Sequence, residues 1–254
     1  MGLSGSGVRW CAAGLYLRPP LGGDLGPVRG LAFDLGGTLD ADGESWASRF
    51  RVHWRALGIE AEEAAAGAAL EAGERAVLDH PGAAELALEP MVALHIEAQL
   101  VCLGLEDRTL RDALVQGFAA ETDRTLRARR PLLAALAKRL PLAVVSNGCG
   151  NTRVLVEEAG LGDLFRVVVD SSDVGVWKPD PGILEPVLRG LAVPADSLAV
   201  VGDRVDRDAA AARAAGMRAV WVSGDGELPA DDPRLERVDA VIASVEALMP
   251  VGPA

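Results

Sequence analysis

The sequence has little cysteine and little lysine, and its acidic residues outnumber its basic ones by 37 to 25. Three cysteines occur in 254 residues, far apart and without a Cys-x-x-Cys pair, which excludes a disulfide scaffold and favours reduced thiols in a cytoplasm. The formal net charge of −12 argues against nucleic acid or an anionic membrane as the main partner. No apolar run approaches the roughly 18 residues that a membrane span needs. Lysine occurs only twice, as Lys138 and Lys178, so each lysine is informative.

Residues 1–27 lack the pattern of a folded segment. They hold one short apolar patch, around residues 10–17, and glycine interrupts it. A flexible N-terminal extension, or a start codon assigned too early, therefore fits these residues better than a signal peptide does.

Short apolar runs bounded by turn residues recur along the rest of the chain, and helical patterns separate them. The runs cover residues 28–34, 142–148, 165–170, 197–203, 217–222 and 238–243. The helical patterns cover residues 131–140, 151–160 and 206–216. This alternation predicts an α/β fold with a doubly wound parallel sheet, built from residues 28–43 and 126–254.

Residues 44–125 interrupt the alternation with helical patterns alone. These patterns cover residues 46–57, 60–78, 90–105 and 107–121. We therefore expect an all-helical insertion, or cap, between the first strand and the rest of the sheet. On its first helix, Trp46, Phe50, Trp54 and Leu57 share one face. Arg49, Arg51 and Arg55 on that helix are expected either to form a solvated face or to meet an anionic substrate, and the solvated face is favoured.

Polar residues gather where the predicted strands end. Asp34 follows the first strand, Ser146 and its two neighbours end the second, and Asp203 with Asp206 and Asp208 follows a later one. Lys178 lies on a loop before a helix. Carboxylates, a lysine and a hydroxyl can together hold Mg²⁺ and a phosphoryl group. Taken singly, these residues are more often ordinary residues of turns, loops and helix starts, and only their combination in this order points to a site.

Four segments, in this order, resemble the haloacid dehalogenase-like hydrolase superfamily. They read DLGGT (34–38), SNG (146–148), KPDP (178–181) and GDRVDRD (202–208). The superfamily pattern is Asp-x-Asp-x-Thr, then Ser or Thr, then Lys, then an acidic pair as in Gly-Asp-x-x-x-x-Asp. The resemblance covers about residues 28–225, and the helical insertion looks like the superfamily's first type of cap.

The resemblance implies a role for each matching residue. Asp34 would be the nucleophile that forms an aspartyl-phosphate. Ser146 would hydrogen-bond the phosphoryl oxygens, and Lys178 would offset negative charge on nucleophile and phosphate. Asp203 would bind Mg²⁺ together with Asp34, and Asp208 would support the ion directly or through water.

The resemblance also implies backbone and binding contributions. The carbonyl of Gly36 would be a further Mg²⁺ ligand, which a glycine can still supply. Gly37, Thr38, Asn147 and Gly148 are expected to contribute to binding the small phosphorylated substrate.

Gly36 departs from the pattern, because it stands where superfamily phosphatases carry the second Asp of the first motif. That Asp protonates the leaving oxygen and later activates water, and loss of a general acid–base typically costs about 10²–10⁴ in rate. Asp40 or Asp42, six and eight residues past the nucleophile, could replace it.

Two other chemistries of the superfamily fit the sequence less well. Phosphonate-cleaving relatives use a cap lysine to form a Schiff base, and residues 44–125 contain no lysine. Dehalogenases need no metal and usually lack the Gly-Asp that Gly202 and Asp203 supply here.

Two hypotheses of different classes therefore stay open. The favoured one is a Mg²⁺-dependent phosphatase with a weakened or relocated general acid. The other is a non-catalytic binding or regulatory protein that retains the pocket.

Overall fold

The computed structural model describes residues 7–11, 14–20, 22, 26–224, 226 and 228–250. Two antiparallel strands come first in the chain, and a six-stranded parallel sheet follows. The strands are β1 (Val8–Cys11), β2 (Gly14–Leu17), β3 (Gly30–Phe33), β4 (Leu142–Ser146), β5 (Val167–Asp170), β6 (Leu198–Gly202), β7 (Arg218–Val222) and β8 (Ala240–Ile242). The predicted α/β class and parallel sheet are confirmed, and each strand of the large sheet lies within its predicted range.

The order of strands in the large sheet is β5-β4-β3-β6-β7-β8. The chain moves outward from β3 through β4 to β5, then returns to the other side of β3 and continues from β6 to β8. β3, β4 and β6 are buried along their whole length, as expected of strands covered on both faces. The reversal of direction beside β3 is the point where sheets of this type open a crevice at the strand ends.

Nine α-helices occur in the described residues. They are α1 (Trp46–Ala56), α2 (Glu63–Leu78), α3 (Leu88–Cys102), α4 (Arg108–Ala128), α5 (Arg130–Ala137), α6 (Thr152–Glu158), α7 (Ser171–Val174), α8 (Glu185–Leu191) and α9 (Ala210–Ala214). The first four follow one another without a strand, in the stretch predicted as a cap. The division of the chain into core and cap at residues 44 and 125 stays a prediction.

The inner face of α1 is nearly the one that the sequence predicts. Phe50 and Trp54 are buried, and Phe50 stacks on Phe118 of α4 with ring centroids 4.1 Å apart. Leu57 was expected on the same face, but 43% of it is exposed. The helix ends at Ala56, so the backbone no longer directs the next side chain toward the inner face.

The hairpin of β1 and β2 was not predicted. Val8 pairs with Leu17, and the buried Leu15 accepts a 2.7 Å hydrogen bond from the N–H of Val28. Trp10 donates from Nε1 to the carbonyl of Leu248, which lies after β8. The expectation of a flexible extension does not hold for these two strands, because contacts with distant parts of the chain order them. The remainder of residues 1–27 lies largely outside the described residues.

We expect Leu15→Ala to destabilise the whole fold. Leu15 is fully buried, and truncation of such a leucine costs about 2–5 kcal/mol through lost transfer free energy and a residual cavity. For a chain of this size each kcal/mol lowers Tm by about 2–4 °C. Thermal melts of Leu15→Ala and of Arg9→Ala, an exposed position in the same hairpin, test this. Equal melting of the two variants would show that the hairpin adds no stability.

Candidate active site

The carboxyl ends of β3, β4 and β6 bring the predicted site residues to one edge of the sheet. Asp34 follows β3, Ser146 ends β4, and Asp203 follows β6. The N–H of Asp34 donates to the carbonyl of Val201 on β6, which fixes the start of the loop that follows β3. Lys178 reaches the same edge from the loop before α8, and Asp208 reaches it from the helical turn Val205–Ala209 that leads into α9.

Lys178 is the centre of this cluster. Its buried Nζ lies 2.5 Å from Oδ1 of Asp34 and 2.6 Å from Oδ1 of Asp208, and it donates to the carbonyl of Val145 at 3.0 Å. The three hydrogen bonds use all three donors of the ammonium group. The lysine is therefore held in a single orientation, with its charge directly against the predicted nucleophile.

Three carboxylates surround a space that suits a hard cation. Oxygen atoms of Asp34, Asp203 and Asp208 lie within 4.8 Å of one another. The hydroxyl of Thr38 lies between two of them, 3.4 Å from Asp34 Oδ2 and 3.2 Å from Asp203 Oδ1, and accepts the N–H of Asp203 at 3.0 Å. Oxygen donors of this kind fit Mg²⁺, so the residues present are compatible with the predicted ion.

The pKa values report uncompensated negative charge in this cluster. Burial raises the pKa of Asp34 to about 8, because Lys178 only partly offsets the lost hydration and the charges of Asp208 and Asp203. Burial and the charge of Asp208 raise the pKa of Asp203 to about 6. Burial alone would lower the pKa of Lys178, but Asp34 and Asp208 together raise it. A bound cation would oppose the shifts of the two carboxylates.

Two glycines allow the acidic groups to come this close. A Cβ on Gly202 would lie 2.3 Å from the carboxyl carbon of Asp208, so a larger residue would displace that carboxylate. Gly37 has φ +86°, and a Cβ there would lie 2.6 Å from Asp203 Oδ2. The glycines of the first and fourth motifs thus have a packing role at the carboxylates.

The loop after β4 positions Lys178. The amide group of Asn147 donates to the carbonyl of Lys178 at 3.0 Å and accepts its N–H at 2.8 Å. The N–H of Gly148 donates to Ser171 Oγ at 3.1 Å. The side-chain amide of Asn147 and the N–H of Gly148, both predicted as substrate contacts, thus already have partners within the protein. Ser146 remains at the edge of the cluster, and its hydroxyl has no hydrogen bond to any other described residue.

Asp40 and Asp42, the two candidates for a substitute acid, differ in position. Asp40 is buried, and its oxygens accept hydrogen bonds from the N–H of Gly37 at 2.6 Å, from Trp46 Nε1 at 2.5 Å and from Arg49 at 3.1 Å. Asp42 instead forms an ion pair with Arg129 at 2.8 Å and accepts the N–H of Val245. Burial raises the pKa of Asp40, while Arg49, Trp46 and the N–H of Gly37 act in the opposite direction.

Two important residues at this edge were missed or misread in the sequence. Arg49 forms no part of a solvated face, because it is 2% exposed and its guanidinium pairs with Asp40 and Glu121 inside the protein. Trp46 was predicted only as an apolar residue, yet its N–H bonds to Asp40. One feature of the sequence points to this role: Trp46 and Arg49 are three residues apart, which places both on the same side of α1. Asp206, to which the superfamily pattern gives no role, is exposed at the start of a helical turn and pairs with Arg204.

A cleft of about 590 Å³ opens beside the cluster. It lies between the start of α1 and the loop after β6, and its walls include Ser45, Ser48, Asp203 and Arg204. The walls are polar, and they include Asp203, one of the three clustered carboxylates. A small, charged molecule therefore has access to Asp203 from solvent.

The sequence pattern of haloacid dehalogenase-like hydrolases matches residues 28–216, which include every residue of this cluster. The chain belongs to that family. The family assignment made from the four motifs is confirmed.

Among curated proteins, this hydrolase is similar to two phosphatases. It is 38% identical to the phosphoserine phosphatase of Thermus thermophilus over 144 residues, which are 50% of the chain and 57% of that protein. It is 40% identical to the phosphoglycolate phosphatase of Pectobacterium atrosepticum over 93 residues, 36% of the chain and 39% of that protein. The matches thus span less than two thirds of the length of either relative.

Among solved structures, the hydrolase shares its fold with dehalogenases. The L-2-haloacid dehalogenase of Xanthobacter autotrophicus superposes with a TM-score of 0.51 at 20% identity, over 87% of this chain and 96% of that one. At this identity the likeness concerns the fold alone. No helix in the part of the chain that the structure describes is long and apolar enough to cross a membrane.

We expect Mg²⁺ to raise the thermal stability more at pH 8 than at pH 5. Folding raises the pKa of Asp34 and of Asp203. The folded state therefore binds more protons than the unfolded state between about pH 4 and pH 8. Without metal, the free energy of unfolding falls as pH rises through that window, because those protons dissociate. Mg²⁺ takes the place of those protons and should raise Tm most where they have dissociated.

Thermal melts at both pH values, with and without millimolar Mg²⁺, measure this effect. The control is Asp203→Asn, which removes one repelling charge. It should melt no lower than wild type without metal and should show little Mg²⁺-dependent rise. A rise in Asp203→Asn equal to that of wild type would rule out Asp203 as a ligand.

Proposed function

We propose that this hydrolase is a Mg²⁺-dependent phosphatase that acts on a small phosphorylated metabolite through an aspartyl-phosphate on Asp34. The observation that carries the proposal is the contact of Asp34 with Lys178 at 2.5 Å, inside a cluster with Asp203 and Asp208. This arrangement supports the proposal because it could supply a nucleophile, a fixed positive charge and oxygen ligands for a cation at one edge of the sheet.

In the proposed reaction an oxygen of Asp34 attacks phosphorus, and the bond from phosphorus to the leaving oxygen breaks. Water then cleaves the acyl phosphate, which releases inorganic phosphate and restores the carboxylate. Lys178 offsets charge on the nucleophile and the phosphoryl group, and the hydroxyl of Ser146 donates to a phosphoryl oxygen. Asp34, Asp203 and the carbonyl of Gly36 would hold Mg²⁺, with Asp208 supporting the site. The ion would neutralise charge on the phosphoryl group.

The geometry at Gly36 determines what this site can do without its second Asp. Gly36 has φ −76° and ψ 121°, which any residue can adopt, and a Cβ there would meet only Trp46, at 3.4 Å. Because residue 36 is a glycine, it supplies no side chain that could replace the missing general acid. We infer that the leaving group departs without protonation from this position, which favours substrates with stable leaving groups.

A panel of phosphorylated metabolites, assayed with and without Mg²⁺, tests the proposal. Phosphoserine and phosphoglycolate belong in the panel because of the two curated relatives, and L-2-chloropropionate tests for dehalogenation. We expect Mg²⁺-dependent phosphate release in wild type and none in Asp34→Asn, which keeps the shape of the nucleophile. Chloride release without phosphate release would indicate a dehalogenase, and no turnover of any compound would favour a binding protein.

We expect hydrolysis to depend steeply on the leaving group. Without a general acid the leaving oxygen carries its full negative charge, so aryl and acyl phosphates should react far faster than alkyl phosphates of similar size. The values of kcat/KM across a series of substituted phenyl and alkyl phosphates measure this dependence. Equal values across the series would mean that a general acid is present elsewhere in the site.

Gly36→Asp should raise kcat/KM for alkyl phosphates by up to about 10²-fold, while aryl phosphates change little. The backbone at Gly36 accepts an Asp without strain, and the new carboxyl would supply the missing proton. The matched control is Gly36→Asn, which has nearly the same shape and no acid. An equal gain in both variants would show that acid catalysis is not the cause.

A further inference from the structure

Asp40 links the loop after the nucleophile to the first cap helix. Its Oδ1 accepts the N–H of Gly37 at 2.6 Å, and its Oδ2 accepts Trp46 Nε1 and one guanidinium nitrogen of Arg49. All three partners are donors, so both oxygens act as acceptors. A protonated carboxyl would turn one oxygen toward a donor, and the arrangement therefore fits the ionised form.

The hydrogen bond to Gly37 also orients Gly36. The C=O of Gly36 and the N–H of Gly37 belong to one peptide group, which is planar and points its C=O and N–H in opposite directions when trans. By holding the N–H, Asp40 holds the carbonyl in the opposite direction. Gly36 is exposed and Gly37 is buried against Asp203, so the hydrogen bond to Asp40 adds a directional contact to the packing of this peptide.

Arg49 ties Asp40 to the other end of the cap. Its guanidinium donates to Glu121 at 3.1 Å and to Thr122 at 2.6 Å, and it lies 4.6 Å over the ring of Phe118. These three partners all belong to α4, whereas Arg49 and Trp46 belong to α1. Both helices are thus joined to the loop of the nucleophile through one buried carboxylate.

We propose that Asp40 is a positioning residue, held by Trp46 and Arg49, that orients the Gly36 carbonyl toward the cation and so couples the seating of the cap helices to metal binding. The inference rests on the proposed function, because only that proposal makes the Gly36 carbonyl a ligand of Mg²⁺. It assigns Asp40 a role other than the substitute acid considered from the sequence.

Two tryptophans of α1 provide a matched test. Trp46→Phe removes the N–H that binds Asp40, and Trp54→Phe removes an equivalent N–H that donates to Gln99 at 3.0 Å inside the cap. Asp40→Asn keeps the shape of the residue and removes its charge. The measurements are the dissociation constant of Mg²⁺ by calorimetry and the hydrogen exchange rate of the Gly37 amide.

We expect Trp46→Phe and Asp40→Asn to weaken Mg²⁺ binding by about tenfold, as is common when a partner of a ligand is lost. Exchange at Gly37 should become about tenfold faster, because a hydrogen bond to a charged acceptor is weakened. Trp54→Phe should stay near wild type in both measurements even where it lowers Tm. Equal behaviour of Trp46→Phe and Trp54→Phe, or no binding of Mg²⁺ by wild type, would overturn the inference.

The leaving-group series separates positioning from acid catalysis. If Asp40 is a positioning residue, Asp40→Asn lowers kcat/KM by a similar factor for aryl and alkyl phosphates. A loss confined to alkyl phosphates would identify Asp40 as the acid and would also overturn the inference. If wild type binds Mg²⁺ but hydrolyses no phosphate, the proposed function fails, and Mg²⁺ binding with Gly37 exchange still decides the role of Asp40.

Discussion

The site depends on one electrostatic constraint, which is that three carboxylates share a small buried space with a single ammonium group. Lys178 contacts Asp34 and Asp208 and cannot neutralise Asp203 as well. Burial of several like charges is costly unless further positive charge is supplied. A bound cation or bound protons would relieve this burial cost and repulsion, which is why the pKa values of Asp34 and Asp203 are raised when no cation is present.

The residues packed around the cluster allow its charged groups to lie close together in fixed positions. Gly202 allows Asp208 to approach the end of β6, and Gly37 leaves room for Asp203. Asn147 holds the backbone of Lys178 by a pair of hydrogen bonds, so the ammonium reaches the carboxylates from a fixed position. Asn147, which the superfamily pattern assigns to substrate binding, thus forms hydrogen bonds that hold a charged residue of the protein itself.

A second buried carboxylate connects this edge of the sheet to the helices that cover it. Asp40 and Arg49 form an ion pair that is nearly inaccessible to solvent. Such pairs add little net stability, but they favour one geometry over others because a misplaced partner leaves an unpaired buried charge. In this chain that geometry fixes the peptide between Gly36 and Gly37, at the position where the sequence departs from the usual phosphatase pattern.

The fold and the charged cluster could be predicted from the sequence, for local reasons. Apolar runs such as 142–148 and 197–203 are long enough for buried strands, and parallel strands must end at a common edge. Asp34, Lys178, Asp203 and Asp208 were therefore expected to meet. The hairpin of β1 and β2 was not expected, because its strands are four residues long and are ordered by contacts with Val28 and Leu248.

What the sequence by itself determined is the parallel sheet, the succession of strands and helices along the chain, and the polar residues at the ends of the strands. Only the tertiary structure decided which polar side chains join the acidic cluster and which pair with one another elsewhere. Asp40 and Arg49 lie nine residues apart, and Arg49 meets Glu121 across 72 residues. No local periodicity encodes such pairs, since they form when separate helices close over a loop and every buried charge must find a partner.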